Sequence, residues 1–356
     1  MDIQKYVDNY LKNFKRYREK WNYEDGCVFI GALNLYKTTG EDKYLSFILN
    51  QLDQLVSVEG QPLNYQADEY NIDNINSGKV LFDALETTGD DKYKKALNLL
   101  REQLKKHPRN NEKSFWHKQI YPNQVWLDGL YMAMPFYAKY EKTFNNKEGY
   151  EDIHQQFLNV RKRIWDAEKQ LYYHGYDESR KEKWCNKESG LSENFWVRAM
   201  GWFVMAMVDT LEIIEENSDF KRDIQSMLIE AIEGLLRYQD ASGMWYQVID
   251  EGNREGNYLE TSGTLMIAYS ILKGVRLGYL PLELREYGVK AFNGTVKLYL
   301  NTETMELDGI CGVAGLGNVP YRDGSYEYYI SEKPVINDHK GVGAFLMTYS
   351  EILKLS

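Results

Sequence analysis

VWLDGLYMAMPFY (residues 125–137) carries one charge, Asp128, and is otherwise apolar or aromatic on nearly every face of a helix. The next periodic stretch, EDIHQQFLNVRKRIWD (151–166), carries six charges with its apolar residues at helical spacing. A helix that is apolar all round must be surrounded by protein, whereas an amphipathic one lies half in water. The same contrast separates GCVFIGALNLY (26–36) from DKYLSFILNQLDQL (42–55), and FWVRAMGWFVMAMV (195–208) from the charged helix after it. Buried and half-exposed helices therefore alternate along the chain.

A repeat supports the same reading. ALNLYKTTGEDKY ends at Tyr44 and LFDALETTGDDKY ends at Tyr93, 49 residues later. Each reads as a helix end, a glycine C-cap and a charged start to the next helix. Twelve helical stretches follow, starting near residues 2, 26, 42, 73, 91, 125, 150, 196, 219, 260, 282 and 339. Six buried helices alternating with six half-exposed ones predict an all-α (α/α)6 barrel of six helical hairpins, with residues 1–356 as one catalytic domain. A stacked solenoid also alternates, but its two helix sets usually bury similar fractions. Short strands are expected in connections, near Leu171–His174 and Met244–Ile249.

Composition removes several classes of function. Acidic residues outnumber basic ones, 53 to 43, for a net charge of −10, which opposes general nucleic-acid binding. With 7 Pro and 43% hydrophobic residues, disorder is not expected. No apolar run approaches the ~20 residues of a membrane helix, and the first residues lack the apolar core of a signal peptide. Cys27, Cys185 and Cys311 are odd in number and widely spaced, against both a disulfide framework and a cysteine zinc site. A cytoplasmic protein is the expectation. HExxH, GxSxG, P-loop and dinucleotide-binding patterns are absent, so neither a metal nor a cofactor is expected.

In a ring of this kind the inner helices run one way and their N-terminal ends share a mouth. Those six starts hold Tyr23 to Gly26, Asp73 to Asn76, Trp126 to Gly129, Trp196 to Arg198, Glu260 to Ser262 and Asp338 to Lys340. Asp and Ser are ordinary N-caps, so any one carboxylate here has a structural explanation. Six polar or aromatic clusters at one mouth also make a cavity lined for a ligand. Asp128, between Trp126 and an apolar run, is expected to have a raised pKa through desolvation. Asp73, in NIDNINSGK, faces the same cavity from the preceding inner helix. Such a pair suits glycoside chemistry; alternatively Asp73 caps its helix and Asp128 bonds a buried Asn or Tyr.

His107 and His154 read as surface residues, while His117 and His174 sit among aromatics near the inner helices. Trp126, Trp196 and Trp202 accompany polar residues at inner starts, and Arg198 and Trp202 share a helical face. Indole faces suit sugar rings, and Arg suits a carboxylate through two parallel hydrogen bonds. Together they suggest an acidic sugar. The connection from Asn301 to Asn337 is long and rich in Gly and Tyr, as lids and binding loops often are.

The ordered set IDNINSGK, VWLDGLYMAMPF, YYHGYDES, FWVRAMGWFVMAMVD, GMWYQVID with NYLETSGTLMIAY, and NDHKGVGAF resembles the unsaturated rhamnogalacturonyl hydrolases of glycoside hydrolase family 105, from about Tyr23 to the C-terminus. That family is similar in fold to the unsaturated glucuronyl hydrolases, both being six-hairpin barrels. The resemblance implies removal of a 4,5-unsaturated uronic acid from the non-reducing end of lyase-generated rhamnogalacturonan (pectin) oligosaccharides. An Asp protonates C4 of the enol ether, water adds at C5, and the hemiketal opens by itself. By position, Asp128 would be the general acid and then base, and Asp73 the second carboxylate. Tyr23, His117, Lys118, Trp126, His174, Trp196, Arg198, Trp202 and Arg322 match substrate-contacting positions. Here WVRAMGW replaces the WGRGNGW of many relatives, so Ala199 and Met200 are expected to alter the wall beside Arg198. Two other readings are an unsaturated glucuronyl hydrolase acting on another polysaccharide's lyase products and a non-catalytic sugar-binding barrel. An epimerase on this barrel would normally want two catalytic histidines.

Overall fold

The alternation along the chain closes into a double ring in the computed structural model, which describes residues 2–214 and 218–355. Outer and inner helices alternate in chain order. The first are α1 (Ile3–Lys12, outer), α2 (Tyr23–Thr39, inner), α3 (Asp42–Leu55, outer) and α4 (Leu81–Thr88, inner). Next come α5 (Asp91–Lys106, outer), α6 (Leu127–Thr143, inner), α7 (Gly149–Ile164, outer) and α8 (Val197–Ile213, inner). The last are α9 (Asp219–Leu236, outer), α10 (Thr261–Arg276, inner), α11 (Arg285–Tyr299, outer) and α13 (His339–Leu353, inner), with the short α12 (Tyr326–Ser331) in the final connection. Each inner helix from α2 to α10 packs on the outer helix that follows it. Inner neighbours touch in the order α2, the turn leading into α4, α6, α8, α10, α13 and back to α2. The chain is an (α/α)6 barrel.

Burial explains which helices went inside. Every residue of α10 from Thr261 to Gly274 is buried, whereas α5 buries one stripe that includes Tyr93, Leu97, Leu100 and Leu104. The ring closes through a close approach between α2 and α13. A Cβ on Gly343 would sit 2.5 Å from the Cys27 carbonyl, so only glycine fits there. The repeat glycines are left-handed C-caps: Gly40 (φ 71°) donates to Tyr36 O, and Gly89 (φ 68°) to Leu85 O.

The second inner element begins as a long 3-10 segment, Ile72–Val80, before α4. Its sequence, IDNINSGKV, is rich in Asn, Ser and Gly, which favour local turns over an α-helix. Short strands in the connections form two-stranded antiparallel ladders. Leu171–Tyr172 pairs with Trp165–Asp166, and Gly175–Asp177 pairs with Gln124–Trp126, leaving His174 between two strands. Met244–Ile249 is not a strand; it makes only single bridges, Tyr246 with Leu259 and Val248 with Trp196. The amides of Trp245 and Val248 are taken by Thr264 Oγ1 and Asn257 Oδ1, so no ladder extends. His107 is not a surface residue either. It is buried, with Nε2 2.8 Å from Trp116 O and its ring between those of Tyr70 and Phe115. Among the described residues no helix is long and apolar enough to cross a membrane.

Candidate active site

Two strands and a helix start assemble the first half of the site. Gln124–Trp126 leads directly into α6, with Trp126 at the N-cap, so Asp128 lies in the first helical turn. Leu127 N–H donates to His174 O, which holds the residue between the strands beside that turn. His174 Nε2 lies 3.4 Å from Asp128 Oδ2, and the His174 ring is fully buried. Its other nitrogen, Nδ1, is 2.7 Å from the Tyr329 hydroxyl, brought in by α12.

The second half is built around Asp73. Asn71 accepts the Asp73 amide hydrogen, leaving the Asp73 carboxylate for side chains. A bridge between Asn71 and Lys118 sets the register, and Lys118 Nζ lies 2.7 Å from Asp73 Oδ2. His117 Nε2 is 3.6 Å from Asp73 Oδ1, and its ring stacks on Trp126 with centroids 4.2 Å apart. Tyr121 joins the same group, 4.9 Å from Trp126 and 6.3 Å from His117. Asp73, Lys118, His117, Trp126, Asp128, His174 and Trp196 thus form one continuous cluster, the last by a ring contact of 4.7 Å with His174.

The other inner-helix carboxylates behave differently. Glu260 accepts from the amides of Ser262, Gly263 and Cys311, and Asp338 accepts from Lys340 N, so both are caps. At the start of α2, Glu24 pairs with Arg18 and Asp25 accepts from Tyr17 N and Asn22 Nδ2; Asp73 and Asp128 each face a histidine. Asp128 Oδ2, His174 Nε2, His117 Nδ1 and Arg198 Nε are four of the eight buried side-chain polar atoms without a hydrogen-bond partner among the described residues. Such atoms cost about 1–3 kcal/mol each when left unpaired. Two of them, Asp128 Oδ2 and His174 Nε2, face each other at 3.4 Å.

Protonation follows from the same geometry. Burial pushes the Asp128 carboxyl up, but the imidazoles of His174 and His117 pull it down further, and the net position is below the ordinary carboxylate range. The expected net increase is therefore reversed in the resting site, because desolvation is opposed by two adjacent histidines. Burial lowers His117 to about 4, against the pull of Asp73. Lys118 rises, since Asp73 outweighs its burial.

The remaining sequence-predicted residues surround this cluster at different depths. Arg198 is buried, with Nη1 2.5 Å from Cys311 O and 3.3 Å from Ser262 Oγ, and its guanidinium lies 4.8 Å over the Trp196 ring. Tyr23 is half-buried; its phenol lies within the fields of Glu24, Asp73 and Arg198, and desolvation raises its pKa. Arg322 sits at the rim, donating to the Tyr121 hydroxyl at 2.9 Å. Trp202 is deeper in the barrel, stacked on Tyr131 at 4.9 Å, and is a floor residue. Met200 turns its sulfur to the Tyr172 amide, 3.3 Å away. Sequence reasoning missed Tyr329 and Tyr121. The run YEYYIS (326–331) was its only visible signal, inside a connection with no fixed spacing to any motif. Among the described residues no group of three or more His, Cys, Asp or Glu is placed to hold a metal ion.

A helical barrel with a carboxylate pair at its aromatic mouth defines the class as a six-hairpin glycoside hydrolase. The chain belongs to Glycosyl Hydrolase Family 88, whose description it matches over residues 2–356. It is similar to the solved structure of a family 105 glycoside hydrolase from C. acetobutylicum ATCC 824, at 44% identity and a TM-score of 0.95 over 99% of both chains. Protein Atu3128 of Agrobacterium fabrum is 39% identical over 63% of this chain and 100% of its own length. The unsaturated rhamnogalacturonyl hydrolase YesR of Bacillus subtilis is 27% identical over 76% of each chain.

Proposed function

We propose that this enzyme removes a 4,5-unsaturated uronic acid from the non-reducing end of rhamnogalacturonan oligosaccharides left by a pectin lyase. The observation that carries the proposal is the pair of carboxylates on successive inner elements, Asp73 buried and Asp128 partly so: Asp128 beside His174, and Asp73 beside Lys118 and His117. Similarity to YesR favours the rhamnogalacturonan aglycone over other unsaturated uronosyl substrates.

Asp128 donates a proton to C4 of the enol ether. The substrate supplies what the resting site lacks. Its own carboxylate places a like charge in the pocket and excludes water, and both effects raise the Asp128 pKa toward the value a general acid needs. The positive charge that develops at C5 is stabilised by Asp73, and the attacking water loses its proton to Asp128, now a base. Lys118 and Arg198 offset the anionic substrate locally in a protein of net charge −10. Trp126 and Trp196 flank the ring. The hydrated product is a hemiketal, which opens without further catalysis and releases the shortened saccharide.

The test follows the ultraviolet absorbance of the conjugated uronate with lyase-generated oligosaccharides. Wild type bleaches it and Asp128→Asn does not; equal rates for the two would remove Asp128 from the mechanism. A panel of lyase products from other uronic polysaccharides checks the aglycone.

A further inference from the structure

The opposite mouth of the barrel, where the inner helices end, opens into a second cavity of about 640 Å³. Its lining is basic in an acidic protein. Lys37 and Lys139 share one carboxylate, Asp83, at 2.5 and 2.8 Å. Arg276 and Lys354 likewise share Glu351, at 2.7 Å each. Lys273 is matched by Asp209 and Glu212. Lys142 has no ion pair among the described residues. Bases at helix C-termini are ordinary partners of the helix dipole, and that explains the residues in the last turns.

It does not explain Lys79, which enters the cavity from the 3-10 segment and is nearly buried. Pro135 has no N–H, so the Tyr131 carbonyl four residues earlier lacks its helical donor. Lys79 Nζ fills that role at 2.6 Å and also donates to Asn76 Oδ1 at 2.9 Å. Both acceptors are neutral, and the ammonium also lies 3.3 Å over the Tyr131 ring, so it has no carboxylate in contact. Burial lowers Lys79 to about 7; Asp209 and Cys27 pull it up, and Lys273 pushes it down. An anion arriving here would meet an ammonium with no carboxylate partner amid an excess of positive charge. Ile30, Leu33, Pro135 and Ile213 give the same cavity an apolar wall beside its bases.

We propose that this cavity is a binding site for a small phosphate-bearing molecule, seated among Lys37, Lys79, Lys139 and Lys142 and separate from the catalytic mouth. Lysine ammonium groups are suitable point charges for phosphate. The apolar wall suits an organic moiety more than a free ion.

Calorimetry and thermal unfolding with orthophosphate, glucose 6-phosphate and glucose test the site. Either phosphate should bind at millimolar concentration or below and raise Tm. Tighter binding of the sugar phosphate supports an organic ligand, and equal binding supports free phosphate. Titrations at pH 7 in buffers of different ionisation heat should show proton uptake by Lys79, over and above the proton exchange of the phosphate itself, because the anion restores the charge on Lys79. The Lys79→Met variant should lose this uptake. Lys79→Met also strands the Tyr131 carbonyl, so the Lys37→Ala/Lys142→Ala variant provides a second test. That variant should weaken binding at least ~10-fold, the loss expected from removing one or two charge contacts, with hydrolytic activity unchanged. No binding up to ~10 mM phosphate, glucose binding as well as its phosphate, phosphate competing with the oligosaccharide substrate, or full affinity in the double variant would each overturn the proposal.

Discussion

The two mouths of this barrel are made by the same six inner elements, yet they differ in almost every physical respect. At the N-terminal mouth the polar groups are buried under aromatic rings, and carboxylates face histidines across a closed cluster. At the C-terminal mouth, basic side chains line an open cavity and mostly neutralise carboxylates in pairs. Low dielectric makes charge at the first mouth strong and its protonation states adjustable. Water at the second screens most of its charges. Catalysis belongs where the field is strong, and reversible binding of an ion is possible where it is weak.

The sharpest way to break this contrast is at Asp128. Asp128→Asn should retain the fold and lose at least ~10³-fold in kcat, within the range of general acid–base catalysis, as read by loss of uronate absorbance. Asp73→Asn should lose roughly 10²-fold, since its role is to stabilise charge rather than deliver the proton. Comparable losses from Lys37→Ala/Lys142→Ala would mean that both mouths serve the reaction.

Tyr329→Phe removes the 2.7 Å contact to His174 Nδ1. With that nitrogen unpaired, the imidazole no longer has its proton position set from behind. A kcat lower by about 10-fold with a displaced acid limb of the pH–rate profile is expected for this loss of orientation. An unchanged profile would reduce Tyr329 to a packing residue.

Acid stability separates the mouths by a smaller effect. Burial holds His107 and His117, both in connections at the catalytic end, at about 4. Free histidine titrates near 6.5, so between these values the unfolded chain binds more protons than the native one. The stability these histidines contribute is complete above about pH 6.5 and is lost as the pH falls toward 4. Replacing His107 by Gln should flatten the Tm–pH curve over that window, by up to roughly 3 kcal/mol of pH-dependent stability. A slope identical to wild type would show that His107 titrates normally. The smallest effect is Lys142→Ala alone. It is an exposed cation without an ion pair among the described residues and should leave stability, read by thermal unfolding, within ~0.5 kcal/mol of wild type in phosphate-free buffer.

Much of this was legible in the chain before any coordinates, for physical reasons. Apolar residues on every face of Val125–Tyr137 can be satisfied only inside protein, and strict alternation with amphipathic partners leaves few architectures besides a double ring. Asp73 and Asp128 could be singled out because each interrupts or opens such an apolar element. Their partners were less visible. His174 and Tyr329 meet across 155 positions, through a strand pair and a short helix in a loop, and no local pattern encodes that encounter. The same limit explains His107, whose sequence neighbours Lys106 and Pro108 look exposed although its ring is enclosed by Tyr70 and Phe115. Direction of the Asp128 pKa was also beyond sequence reasoning. Desolvation can be inferred from apolar neighbours, but the opposing histidines come from distant segments.

The most direct measurement uses two disaccharides that differ only in the C4–C5 bond of the terminal uronate, unsaturated in one and saturated in the other. Hydration initiated at C4 requires the double bond, so only the unsaturated compound should be consumed, with its absorbance lost in step with saccharide release. Cleavage of the saturated compound at a comparable rate would show ordinary glycosidic hydrolysis and contradict the role given to Asp128.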